Sequence, residues 1–127
     1  MTCDITPQTN SKVLIQAYLY LGGASGASYN VRLMRGSTPI CISTDAQSSQ
    51  PAATLSYRAT SNAATVPATI IFLDSSPGGD GSTAITYKFQ WDGENANATY
   101  LNRSAHDADD YRYGRGASTI TLSEVVG

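Results

Sequence analysis

Lys12-Val13-Leu14-Ile15-Gln16-Ala17-Tyr18-Leu19-Tyr20-Leu21 decides the fold class. In an extended chain Val13, Ile15, Ala17, Leu19 and Leu21 share one side, and Leu14, Gln16, Tyr18 and Tyr20 share the other. A helix would scatter both sets around its axis. The run is rich in β-branched and aromatic residues and stops at Gly22-Gly23, as a strand does. The second side is apolar too. Such a strand is either covered on both faces or turns one toward a partner subunit, which makes Leu14, Tyr18 and Tyr20 the subunit-contact candidates.

The same period recurs along the chain. Tyr29, Val31 and Leu33 oppose Asn30, Arg32 and Met34, and Arg35-Gly36-Ser37-Thr38 reads as a hairpin turn into a strand Pro39 to Thr44. A fourth strand is expected about Ala53 to Ala59, with Leu55 and Tyr57 on one side. Thr69-Ile70-Ile71-Phe72-Leu73 is a continuous apolar run, read as a central buried strand. Asp74 to Ser82 is a Gly/Ser/Pro loop. Ile85, Tyr87, Phe89 and Trp91 then alternate with Thr86, Lys88 and Gln90, so this strand should anchor the core. A short strand Thr99–Asn102, a polar loop and a closing strand Ser118–Val126 finish the chain. Nowhere do apolar residues recur at helical spacing over three turns. The expected fold is all-β, a single-domain antiparallel β-sandwich of about eight strands, jelly-roll-like, spanning 12–127.

At 127 residues the chain is long enough to bury a core as one domain. Charged residues make up 14%, below the usual ~25%, and 15 Ser and 14 Thr take their place. Six of the eight basic residues are Arg and there are eight Tyr, the types enriched at protein contacts. The formal charge of −2 gives no electrostatic footprint for nucleic acid, so no nucleic-acid partner is expected. No apolar stretch approaches the ~18 residues of a membrane span, and Met1 to Pro7 lacks the basic start and apolar run of a signal peptide. Cys3 and Cys41 form no metal pattern. Cys41, between Ile40 and Ile42, reads as a small buried hydrophobe.

The residues that could carry chemistry are few. His106 is the one histidine, followed by Asp107, Asp109 and Asp110. Three carboxylates lack the spaced ligands and sharp glycine of a Ca²⁺ loop, so they read as a solvated loop paired with Arg103, Arg112 or Arg115. The Gly-rich loop 75–81 lacks the Lys-Ser/Thr ending of a phosphate cradle. Asp92 and Glu94, flanking Gly93, read as solvated acids rather than a glycoside-cleaving pair. No catalytic residue, metal or cofactor is expected. Arg103, Asp107, Asp109, Tyr111, Arg112, Tyr113 and Arg115, gathered in one exposed loop, are candidates for contact with protein or ligand, because Arg and aromatic side chains give large, directional contacts.

Several short stretches, in order, resemble one group of proteins. Ile5-Thr6-Pro7 with Ser11-Lys12-Val13-Leu14-Ile15 opens it, and Leu33-Met34-Arg35-Gly36-Ser37-Thr38-Pro39-Ile40 follows. Phe72-Leu73-Asp74-Ser75-Ser76-Pro77, Thr86-Tyr87-Lys88, then Asn102-Arg103-Ser104, Asp107-Ala108-Asp109 and Gly114-Arg115 complete it. This pattern resembles bacteriophage virion proteins, namely tail-fibre C-terminal domains and small decoration-type β-domains. The resemblance implies a homotrimeric, mostly β, non-catalytic module on the surface of the phage particle, with other virion proteins as partners. A fibre needs a shaft, and here the domain starts about ten residues from Met1. The expectation is therefore a capsid decoration or cement protein, with residues 1–11 an extended arm that reaches ~30 Å over a neighbour. The alternative is a receptor-binding knob of a tail or head fibre, which would use loop 103–116 or 74–82 on a host surface glycan.

Overall fold

The computed structural model describes residues 1–126. Nine strands follow in order: β1 (Thr2–Ile5), β2 (Lys12–Gly23), β3 (Ser28–Arg35), β4 (Thr38–Ile40), β5 (Leu55–Arg58), β6 (Thr65–Asp74), β7 (Ile85–Gly93), β8 (Thr99–Leu101) and β9 (Thr119–Val125). They form two antiparallel sheets, as the period-2 patterning predicts.

Each sheet is built around one long strand. In the first, β3 pairs with β7 along one flank, while β4 and β5 share the other end to end; β1 adds to the far side of β7. In the second, β2 pairs with β6 along one flank, and β9 and β8 share the other. The two final strands thus both dock on β2, at Lys12–Tyr18 and Leu21–Gly23 respectively.

The inner faces of the two sheets make one core. Val13, Ile15, Ala17, Leu19, Leu21 and Ile70 come from the second sheet, and Val31, Leu33, Tyr87 and Phe89 from the first. Ile120 and Leu122 of β9 pack against it. Each fully buried Val, Leu or Ile contributes about 1.5–3 kcal/mol relative to exposure, so the inward parity of β2 and β3 is what holds register. At one end Tyr29 stacks on Tyr57, with ring centroids 5.1 Å apart. Gly23 is required there, because a Cβ would overlap the Tyr29 ring.

Five expectations are corrected. Residues 1–11 are not a free arm: Thr2–Ile5 pairs with Ile85–Lys88 of the same chain. Pro7 and Ser11 are buried, and the Gln8 amide donates to Glu124 at 2.6 Å. Cys3 and Ile5 point inward at half-burial, so pairing here covers both an apolar side and a sheet edge. Thr69–Leu73 is not central: it lies in β6, an edge strand, with Ile70 buried and Ile71 and Leu73 exposed. The strand expected from Pro39 to Thr44 ends at Ile40, because Cys41 adopts φ 53° and turns the chain out of the sheet. Cys41 is half-buried rather than buried, and burial raises its thiol pKa. Finally, Trp91 is partly exposed, because β1 reaches only to Lys88 and leaves the end of β7 uncovered.

Candidate functional site

The closing loop between β8 and β9 carries most of the sequence candidates, and its base is stitched to β2. Asn102 sits at φ 67°, a left-handed conformation that Asn tolerates. Its amide donates to the Tyr20 carbonyl at 2.7 Å, and its own carbonyl accepts from the Gly116 amide at 3.1 Å. The Ser118 hydroxyl donates to Asn102 Oδ1 at 2.6 Å and accepts from the Tyr20 amide at 2.9 Å. Further out, the His106 amide donates to the Asn62 carbonyl at 2.7 Å, anchoring the loop to its neighbour.

Within the loop the charges neutralise one another. Asp107 lies between Arg103 at 3.2 Å and Arg115 at 2.7 Å. Asp110 pairs with Arg112 at 2.7 Å, and these bonds hold its carboxyl below the ordinary range. Arg103 also stacks its guanidinium over Tyr100, 4.3 Å from the ring centre. The His106 ring rests on Tyr113 with centroids 4.6 Å apart. Asp109 is exposed, and Tyr111 projects fully into solvent. An open cavity of about 430 Å³ is lined by Asp107, Asp109, Asp110, Tyr113 and Arg115.

The structure therefore brings Arg103, Asp107 and Arg115 together, and separately Asp110, Arg112 and Tyr113. Tyr111 and Asp109 stand apart. Chemically the loop is spent on itself: a base or metal ligand at Asp107 would have to give up two arginines. The His106 ring bonds to no Ser or Cys among the described residues, as a nucleophilic site would require.

A second surface is the outer face of the β2 sheet. Leu14 lies directly opposite Leu73, Gln16 opposite Ile71, and Tyr18 between Thr69 and Thr119. Ile71 is 65% exposed, Leu73 44%, Tyr18 40% and Val125 38%. Among the described residues of β2, β6 and β9, Lys12, at one end, is the one charged residue on this face. Of the three subunit-contact candidates, Leu14 and Tyr18 join this band. Tyr20 is covered by its own closing loop, since Gly116 lies flat on its ring and a Cβ there would overlap it. Ile71 and Leu73 were missed because a continuous apolar run reads the same for a buried strand and for a two-sided edge strand. β6 also leaves its outer backbone edge unpaired along Thr65–Asp74.

Compared with known proteins, the chain matches no protein-family model and no curated protein sequence.

Proposed function

We propose that this chain is a non-enzymatic structural protein of a phage particle surface that assembles with copies of itself, as a homotrimer, through the outer face of the β2 sheet. The observation that carries the reading is the apolar band of exposed Tyr18, Ile71, Leu73 and Val125 with half-buried Leu14, beside the free edge of β6. Soluble monomers manage such edges with charge, bulges or cover, and an exposed apolar one marks a pairing surface. A second copy is the fitting occupant. The face carries almost no charge to repel itself, and its Thr, Ser, Gln and Tyr side chains are both donors and acceptors. β2, β6 and β9 run side by side over Lys12–Tyr18, a patch of roughly 14 by 23 Å. That footprint alone supplies roughly two-fifths of the ~800 Å² per partner usual in a stable interface.

The phage-particle setting and the trimer rest on the ordered sequence resemblance. Light scattering on the purified chain tests the assembly. A species three times the 13.4 kDa chain mass supports it, and a monomer at every concentration removes it. A second reading, a receptor-binding knob for a host surface glycan, is favoured by a separate polar cavity on the opposite sheet.

A further inference from the structure

The outer face of the other sheet presents a square of four polar side chains. Asn30 lies directly across from Asp92, and Arg32 across from Gln90, on the paired strands β3 and β7. Their neighbours Val31, Leu33 and Phe89 are buried on the inner face, so all four face outward. Residues 51–53 fold over this face, where Arg32 Nε donates to the Ala52 carbonyl at 2.7 Å and Pro51 forms a wall. The result is a cavity of about 390 Å³, to which Phe89 and Trp91 also contribute.

The square is held in place but not satisfied. Asn30 Oδ1 accepts from the Ser56 hydroxyl at 2.7 Å, and Arg32 is fixed by Ala52. Among the described residues, the other hydrogen-bonding groups of the four side chains have no protein partner: the terminal nitrogens of Arg32, the Asn30 amide nitrogen, Gln90 and the Asp92 carboxylate. Arg32 and Asp92 share the face without forming an ion pair. Cross-strand neighbours stand ~5 Å apart on paired strands, which position side chains more sharply than loops do.

We propose that this cavity binds a neutral saccharide unit through adjacent hydroxyls. Each sugar hydroxyl both donates and accepts. Asp92 accepts from hydroxyls, Arg32 and the Asn30 amide donate to them, and Gln90 does both. One cation and one anion leave the site neutral overall, which disfavours phosphate and nucleotide. Its volume is at the low end of the ~300–1,000 Å³ of small-ligand sites, a fit for one ring or one terminal residue of a glycan. The inference deepens the glycan-binding reading and is independent of assembly through the other sheet.

Trp91, the chain's one tryptophan, stands in β7 between Gln90 and Asp92 of the square, so its emission is a nearby reporter. The full chain is titrated with glucose, galactose, mannose and N-acetylglucosamine, following Trp91 fluorescence and backbone amide shifts. The expected result is a saturable change for at least one sugar, with shifts centred on Asn30, Arg32 and Gln90. Asp92→Asn and Gln90→Ala should each weaken it about tenfold, the effect of losing one charged or well-placed hydrogen bond. Neither side chain bonds to another of the described residues, so both variants should keep the wild-type melting temperature. Shifts confined to residues 103–116 would overturn this site while leaving the glycan-binding reading standing. No response to any of the sugars would overturn both.

Discussion

The Tyr87 hydroxyl donates to Asp74 Oδ2 at 2.8 Å, joining the two sheets through a buried carboxylate. Tyr87 belongs to the β3 sheet and Asp74 ends β6 of the other. Arg35, at the end of β3, donates to both Asp74 oxygens at 2.8 and 2.9 Å and to the Ser76 carbonyl at 2.7 Å. The Ser76 amide closes on Asp74 at 3.3 Å. The carboxylate, at the end of the second sheet, is thus met by two side chains of the first and by its own loop, and such pairing is the condition under which a buried charge is tolerated.

This arrangement predicts unequal costs for its members. Tyr87→Phe leaves Asp74 paired with Arg35 and should cost about 1 kcal/mol. Asp74→Ala strands both a guanidinium and a buried phenol and should cost about 3 kcal/mol. Urea unfolding of the two single variants and the double variant measures this. Equal costs for the two single changes would mean that the carboxylate does not organise the cluster.

The pH dependence follows from the same buried phenols. Burial raises the Tyr57 and Tyr87 hydroxyls above their ordinary 10.0, with the Tyr29 neighbour adding for Tyr57 and the Asp74 bond and charge adding for Tyr87. The unfolded chain releases these protons near pH 10 and the folded chain only later. Their contribution is thus complete below pH 10 and lost as pH rises beyond it. On the acid side, the Arg112 bond lowers Asp110 from 3.8, and bonds from Ser11 and the Gln8 amide lower Glu124 from 4.5. Their contribution is present above those values and fades below them, and contact with solvent keeps it small. Thermal melts should show a plateau from about pH 5 to 9 and a fall above 10. Tyr87→Phe should flatten the alkaline fall, and an unchanged slope would refute the assignment to Tyr87.

Two glycines, one in β2 and one in the closing loop, should answer oppositely to alanine. A Cβ at Gly22 would overlap the Arg103 carbonyl oxygen and press on Ser104 Cα, both backbone atoms that no rotamer change can move. Gly22→Ala should cost about 1–3 kcal/mol and raise hydrogen exchange across the closing loop. Gly114 has open space around its Cβ position and needs no left-handed backbone. Gly114→Ala should be neutral or stabilise by about 0.4–1 kcal/mol through the unfolded chain. Differential scanning calorimetry separates the two. Similar losses for both would show that the closing loop is not packed against β2 as described.

Alternation was enough to place the inward residues of β2, β3 and β7, because parity is a local property and Val13, Val31 or Tyr87 has only two sides to choose between. Which strands neighbour each other is not local. Arg35 and Asp74 are 39 positions apart, and nothing in either stretch announces the other. The pairing of Asn30 with Asp92 is equally silent, although each residue was already on a polar side of its own strand. Thr69–Leu73 misled for a physical reason: apolar residues on both sides of a strand suit a buried position and an interface edge alike. The pairing of loop acids with Arg103, Arg112 and Arg115 was legible, since opposite charges so close in sequence can hardly avoid one another. The polar grip of Asn102 on β2 was not, because it depends on one left-handed residue.

Ile71 offers the sharpest test of assembly because its side chain does nothing else. It lies on the outer face of β6 opposite Gln16, two-thirds exposed, while its neighbour Ile70 is buried in the core. Ile71→Lys should leave the monomer's fold and core untouched, since an exposed edge-strand lysine is a common guard against pairing. If copies associate through this face, the wild type should melt at temperatures that rise with protein concentration, as linked association requires. Ile71→Lys should melt at one temperature throughout and sediment as a monomer. Tyr18→Ala should weaken association in the same direction, whereas Tyr111→Ala, on the closing loop, should leave the mass unchanged. An Ile71→Lys protein that still assembled like the wild type would move the interface elsewhere, with the closing loop the next surface to test through Tyr111 and Arg112.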